Sequence, residues 1–97
     1  MDLLSRPIQN PAVLARKIVA GEMVLVNADS ANSLALTNQT AVFVWEMADG
    51  NRTIQNIIIE VQRQFQNVPD SVSDDVLGLL ELLAQDGFIG FERNKQT

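Results

Sequence analysis

The stretch Thr37 to Thr53, TNQTAVFVWEMADGNRT, holds the only tryptophan of the chain in an apolar run that stops at Asp49-Gly50 and restarts at once. Ala41, Val44, Trp45 and Ala48 recur at the spacing of one helical face, while Val42, Phe43 and Met47 fall on other faces. A helix that is apolar nearly all round is one packed between other elements. Thr37 or Asn38 supplies its N-cap, because a short side-chain oxygen accepts a bond from a backbone N–H one turn on, and Gly50 supplies a left-handed C-cap. Trp45 therefore reads as a core anchor and Asp49 to Arg52 as a helix stop and turn.

Downstream, Thr53 caps a second helix in which Ile54, Ile57, Ile58, Val61 and Phe65 keep to one face, with Ile59 off that stripe as a surface residue. Pro69 cannot continue it. Ser71 and Asp74 resemble a capping box for a third helix that buries Val72, Val76, Leu79, Leu80 and Leu83 and ends at Gln85-Asp86-Gly87. Leu77 and Leu82 lie on its two flanks. Phe88 to Phe91 is short and β-prone, a last strand or extended tail, and residues 93 to 97 are expected to fray.

Upstream, the alternation from Leu14 to Ala20, the Gly21-Glu22 interruption and the β-branched MVLVN run signal a hairpin. Asn27 to Ser33 is turn-rich, and Leu34-Ala35-Leu36 makes a brief third strand. Residues 1 to 13 contain Pro7 and Pro11, show no period, and read as an irregular arm. The expected organisation is one α+β domain: arm 1–13, an antiparallel three-stranded meander over 14–36, then three helices and a short extended piece over 37–92.

Composition narrows the chemistry. The chain has 97 residues, enough for one domain, and with 46% hydrophobic and 20% charged residues it can bury a core. It has no cysteine, histidine or tyrosine, which removes thiol chemistry and the commonest general base and metal ligand. No pair of side chains forms a nucleophile with its base, so no enzyme and no cofactor or metal is expected. Asp74 and Asp75 are accounted for by the favourable dipole at a helix N-terminus. The net charge of −5 repels a phosphate backbone. The N-terminus lacks the pattern of a signal peptide and no apolar run approaches membrane-spanning length, so a cytoplasmic, membrane-free protein is expected.

The motifs GEMVLVN (21–27), LALTNQTAVFVWEMADGNRTIQNIIIEVQRQF (34–65) and VSDDVLGLLELLAQDGFI (72–89) together resemble the PqqD-like family, named for coenzyme PQQ synthesis protein D. The features that carry the resemblance are Leu36 to Asn38, Trp45, Asp49, Gly50, Arg52, Thr53, Ile54, Leu83, Gly87, Phe88 and Ile89, in that order and spacing. It implies a winged-helix-like fold: a three-stranded N-terminal sheet followed by a three-helix bundle. It also implies a peptide chaperone, a recognition element for the leader segment of a ribosomally made precursor. Such an adaptor presents the precursor to a modifying enzyme, frequently a radical S-adenosylmethionine (radical SAM) enzyme.

In the family the leader adds as a strand to the third strand and packs beside the third helix. Carried over, that edge is Ser33, Leu34, Ala35, Leu36 and Thr37, with helix 3 as one wall through Asp75 and either Leu77 or Leu82. The charge map agrees with a peptide guest: between Gln64 and Glu92 lie Asp70, Asp74, Asp75, Glu81, Asp86 and Glu92 and no Lys or Arg. A DNA-binding winged helix needs positive charge on its third helix, whereas a basic or amphipathic peptide is steered toward this one. The rival readings are a winged-helix nucleic-acid binder and a structural or dimerisation module. The chain is expected to be a monomer or a homodimer.

Overall fold

The computed structural model describes residues 2–19, 21–65 and 68–92. In chain order they form β1 (Arg6–Gln9), β2 (Val13–Val19), β3 (Glu22–Asn27), β4 (Ser33–Leu36), α1 (Gln39–Met47), α2 (Ile54–Gln64), α3 (Val72–Gln85) and β5 (Ile89–Glu92). Strands β2, β3 and β4 make an antiparallel sheet in that order, and β1 pairs with β5 in a separate two-stranded ribbon. The architecture is α+β and winged-helix-like, three strands followed by three helices.

The hairpin turn between β2 and β3 needs a glycine at Gly21. Its φ is +80°, and a Cβ there would lie 2.9 Å from Cγ of Gln39. Along β3 the pleat sends Met23, Leu25 and Asn27 inward; Met23 faces Leu36 and Leu25 faces Leu34 on β4. These residues meet Val44 and Trp45 of α1, Ile54, Ile57 and Val61 of α2, and Val76, Leu80 and Leu83 of α3 in one apolar core. Asn27 is the buried polar exception, and its amide is used: Nδ2 donates to the Gly87 carbonyl at 3.0 Å and Oδ1 accepts from the Asp29 N–H. Asn10 Nδ2 donates to the same carbonyl at 2.9 Å, which ties the N-terminal segment and the β3–β4 loop to the end of α3.

The N-terminal segment is not an irregular arm: Arg6 to Gln9 form β1, with Arg6 facing Glu92 and Gln9 facing Ile89. A four-residue strand containing a proline shows no alternation, and its partner lies about eighty residues away, so local pattern could not report it. The expected fraying of residues 93 to 97 lies outside the described residues.

That ribbon also moves the end of the first helix. Asn38, not Thr37, caps α1, its Oδ1 accepting from the Ala41 N–H at 2.8 Å. The helix stops at Met47, two residues before the expected position for a Gly50 cap. The Ala48 carbonyl accepts from the Gln9 N–H, and the Gly50 N–H donates to the Pro7 carbonyl, so β1 draws the backbone out of the helix. Gly50 keeps its left-handed geometry, φ +82°, inside the turn. Asp49 holds that turn: its carboxylate accepts from the Asn51 and Arg52 N–H groups and pairs with the Arg52 guanidinium. The Asn51 N–H above all, with the Arg52 charge, holds the Asp49 carboxyl below its usual range. The resulting stabilisation is present above the ordinary carboxylate range and is lost as pH falls through the lowered value.

Thr53 then forms a capping box with Asn56: Thr53 Oγ1 accepts from the Asn56 N–H at 3.1 Å, and Asn56 Oδ1 accepts from the Thr53 N–H at 3.3 Å. Thr53→Ala is expected to lower stability by about 1 kcal/mol, read as a shift in urea midpoint with an unchanged slope. Phe65, placed on the buried stripe by its spacing, is the C-cap of α2 and is half-buried, packing edge-on against Phe43 with ring centroids 5.5 Å apart. The capping box expected at Ser71 does not form. Its φ and ψ of −78° and 4° are not the extended geometry that brings a hydroxyl onto the next turn. The Ser71 hydroxyl instead donates to Asp75 Oδ2 at 3.4 Å.

Candidate functional site

The strand order leaves β4 at the margin of its sheet, and among the described residues nothing pairs with its outer side. The direction of its free groups follows from the ladder. The Asn27 N–H donates to the Asn32 carbonyl, which makes that pair a hydrogen-bonded one. Antiparallel ladders alternate, so Leu34 and Leu36 bond back to Leu25 and Met23, while Ser33 and Ala35 turn their N–H and C=O groups toward the open edge. The side chains obey the pleat: Leu36 is buried and Leu34 half-buried, whereas Ser33, Ala35 and Thr37 are exposed.

The edge leads directly to a groove. Thr37 connects β4 to Asn38, and Asn38, Ala41 and Val44 of α1 form one side of a groove of about 390 Å³. Val72, Asp75, Val76 and Leu79 of α3 line it from the other helix, and Val68 and Pro69 of the α2–α3 connection also line it. The floor is apolar and Asp75 is the only charged side chain in the lining. Ion pairs among the described residues are Lys17–Glu46, Arg52–Asp49 and Arg63–Glu60, so Asp75 faces the groove without a cation. The segment α3 itself, VSDDVLGLLELLAQ, has three acids and no base.

The groove separates the candidate wall residues. Asp75 lines it. Leu82 follows Asp75 by seven positions and Leu79 by three, which places it on the same flank of α3, 42% exposed. Leu77 lies on the opposite flank, half-buried against the core, and is not brought to the groove. Leu79, read from its spacing as core, is half-buried and lines the groove. Its position at the border between the Val72–Val76–Leu80–Leu83 stripe and the Asp75–Leu82 row was visible in the sequence, but not which border faces an opening. No group of three His, Cys, Asp or Glu among the described residues could hold a metal ion. No helix among the described residues is long and apolar enough to cross a membrane.

A three-stranded sheet with one open edge is thus followed by three helices, of which α1 and α3 wall a groove beside that edge. The chain belongs to the PqqD family: the family model for coenzyme PQQ synthesis protein D matches residues 22–89. Among solved structures, TbiB1 in complex with the TbiA(beta) leader peptide aligns with a TM-score of 0.73 at 15% identity, covering 90% of this chain and 99% of that one. The heterocyclase TruD aligns with a TM-score of 0.65 at 16% identity, and a heterocyclase in complex with substrate and cofactor with 0.63 at 18%. Each covers 96% of this chain but only 12% and 11% of the heterocyclase chains, so the fold recurs there as a small part of a larger protein. These likenesses are of fold. No curated protein sequence matches the chain.

Proposed function

We propose that the chain is a non-enzymatic peptide-binding adaptor of the cytoplasm that holds the leader segment of a ribosomally made precursor and presents it to a peptide-modifying enzyme. A radical SAM enzyme is the partner type implied by the family resemblance. The observation that carries the reading is the continuity of the open β4 edge with the apolar, acid-rimmed groove. An extended guest pairs with the outward N–H and C=O groups of Ser33 and Ala35, which gives affinity without sequence demand. Its alternate side chains then reach the α3 flank, which gives selectivity. A nucleic-acid role is disfavoured by the same flank, because α3 would carry only carboxylates toward the phosphates.

The test is a selection of random peptides of about twelve residues, long enough to span a four-residue edge strand with margins, displayed against the intact protein. The tightest peptide is then titrated into isotopically labelled protein. Amide shifts centred on Ser33 to Thr37 and the Asp75 flank of α3 are expected. Failure to enrich any peptide, or shifts confined to β1 and β5, would sink the reading. Because Asp75 lacks a cation, selected peptides are expected to carry Lys or Arg. Their affinity should fall about fivefold at high salt, the worth of ~1 kcal/mol for a partly exposed pair, and Asp75→Asn should flatten that dependence.

A further inference from the structure

The pleat that buries Met23, Leu25 and Asn27 of β3 turns Val24 and Val26 to the other side of the sheet. Residues directly opposite on antiparallel strands share a face. Leu14 and Ser33 therefore join Val26 in one row, and Arg16 and Ala35 join Val24 in the next. Near the hairpin turn the register shifts between Lys17 and Val19, which leaves Ile18 without a cross-strand partner. Lys17 opposes inward Met23 and reaches Glu46 of α1, whereas Val19 opposes outward Glu22, so the bulge sets Ile18 and Val19 side by side on the outer face. Leu14, Ile18, Val19 and Val26 are between 37% and 68% exposed, and they are half of the eight large apolar side chains that stand exposed among the described residues. Single exposed leucines need no explanation, but four such residues on one face of one sheet mark a contact surface.

Size and charge select the occupant. The seven residues of β2 at ~3.3 Å each and three strands ~4.8 Å apart give a face of roughly 300 Å², well short of the ~800 Å² that each partner of a stable complex buries. A second copy packed here about a twofold axis would bring Arg16, near the middle of the face, against its own counterpart, between chains that each carry a net charge of −5. Arg16 has no ion pair among the described residues, and Glu22, beside the turn, is the only acid of the three strands. The face therefore calls for an apolar surface that bears a carboxylate. It also runs on into the guest site. Ser33 and Ala35 end the two rows on β4, and a strand added there continues the sheet, with alternate side chains on the same outer face. A larger protein that lies on the face meets the guest as well, which makes up the missing area. We propose that the outer face of the β2–β3–β4 sheet is the docking surface for the peptide-modifying enzyme, whose matching patch is apolar with an Asp or Glu opposite Arg16. This rests on the reading of β4 as the guest edge.

The experiment places photo-crosslinking benzoylphenylalanine at Leu14 of the full chain in the cells that produce it, and at Ile59, an exposed apolar position on α2, as control. Capture of an enzyme from position 14 and not from position 59 is expected. That enzyme is then purified and titrated with the unaltered chain, with Arg16→Glu and with Leu14→Ser. Both variants are expected to keep the urea midpoint and the affinity for the tightest selected peptide, since the changes lie on an exposed face away from the β4 edge. The dissociation constant for the enzyme is expected to rise at least about tenfold with Arg16→Glu, which sets like charges together, and to rise with Leu14→Ser. Crosslinks between two copies, crosslinks to lipid, or no captured enzyme would overturn the inference. So would equal capture from both positions, or variants that bind the enzyme as tightly as the unaltered chain. In each of those cases a peptide that still binds at β4 leaves the adaptor reading standing. If no peptide binds the unaltered chain, that reading falls and the inference with it.

Discussion

Trp45→Ala is expected to lower the unfolding free energy by about 3–5 kcal/mol, a large share of what a domain of this size possesses. Trp45 is 3% exposed and sits on the helix that touches α2, α3 and β3, so its removal opens a cavity bounded by most of the fold. The backbone there is engaged as well: the Trp45 carbonyl accepts from the Ala48 N–H, which closes the end of α1, and from Gln9 Nε2 at 2.8 Å, which ties β1 to it. A cavity under this point loosens the helix and the ribbon together, and the surrounding side chains come from different elements that cannot all collapse inward. Urea denaturation followed by circular dichroism measures the effect. Trp45→Phe should recover more than half of the loss by refilling the space. A loss below about 1 kcal/mol for the alanine variant, the level of an ordinary surface change, would show that the residue is not the core anchor.

The elements legible in the sequence are those whose cause is local. The helical period of Ile54, Ile57, Ile58 and Val61, the Thr53 cap and the Gly87 stop each report an interaction within a few residues, and each is present. What was not legible depends on a distant partner. Strand β1 exists because Ile89 to Glu92 lie beside it, and α1 ends at Met47 because Pro7 and Gln9 claim the next backbone groups. Ser71 has the residue type of a cap without its dihedral angles, since those are set by the chain arriving through Pro69. The site divides in the same way. The apolar edge and the acidic helix are composition, and were readable; the choice of the Leu82 flank over the Leu77 flank is a matter of packing handedness, which spacing alone cannot supply.

Ala35→Pro is expected to leave the domain folded and to weaken peptide binding by about a hundredfold, equivalent to ~2.7 kcal/mol. The reasoning turns on parity. The Ala35 N–H points to the open edge, so proline there removes no bond of the β3–β4 ladder, and an edge strand is where proline is tolerated. The same change strips the edge of one of its two outward donors and leaves the facing guest carbonyl desolvated without a partner, a penalty of about 1–3 kcal/mol before the bulk of the ring is counted. Ser33→Pro should behave similarly. Leu34→Pro, one position away, should instead unfold the sheet, because the Leu34 N–H serves Leu25 and the leucine side chain packs against the core. Fluorescence anisotropy of a labelled selected peptide, beside urea midpoints for all three variants, separates the outcomes. Unchanged affinity in a folded Ala35→Pro protein would mean that the guest does not pair with β4, and the groove walled by α3 would then have to hold its peptide by side chains alone.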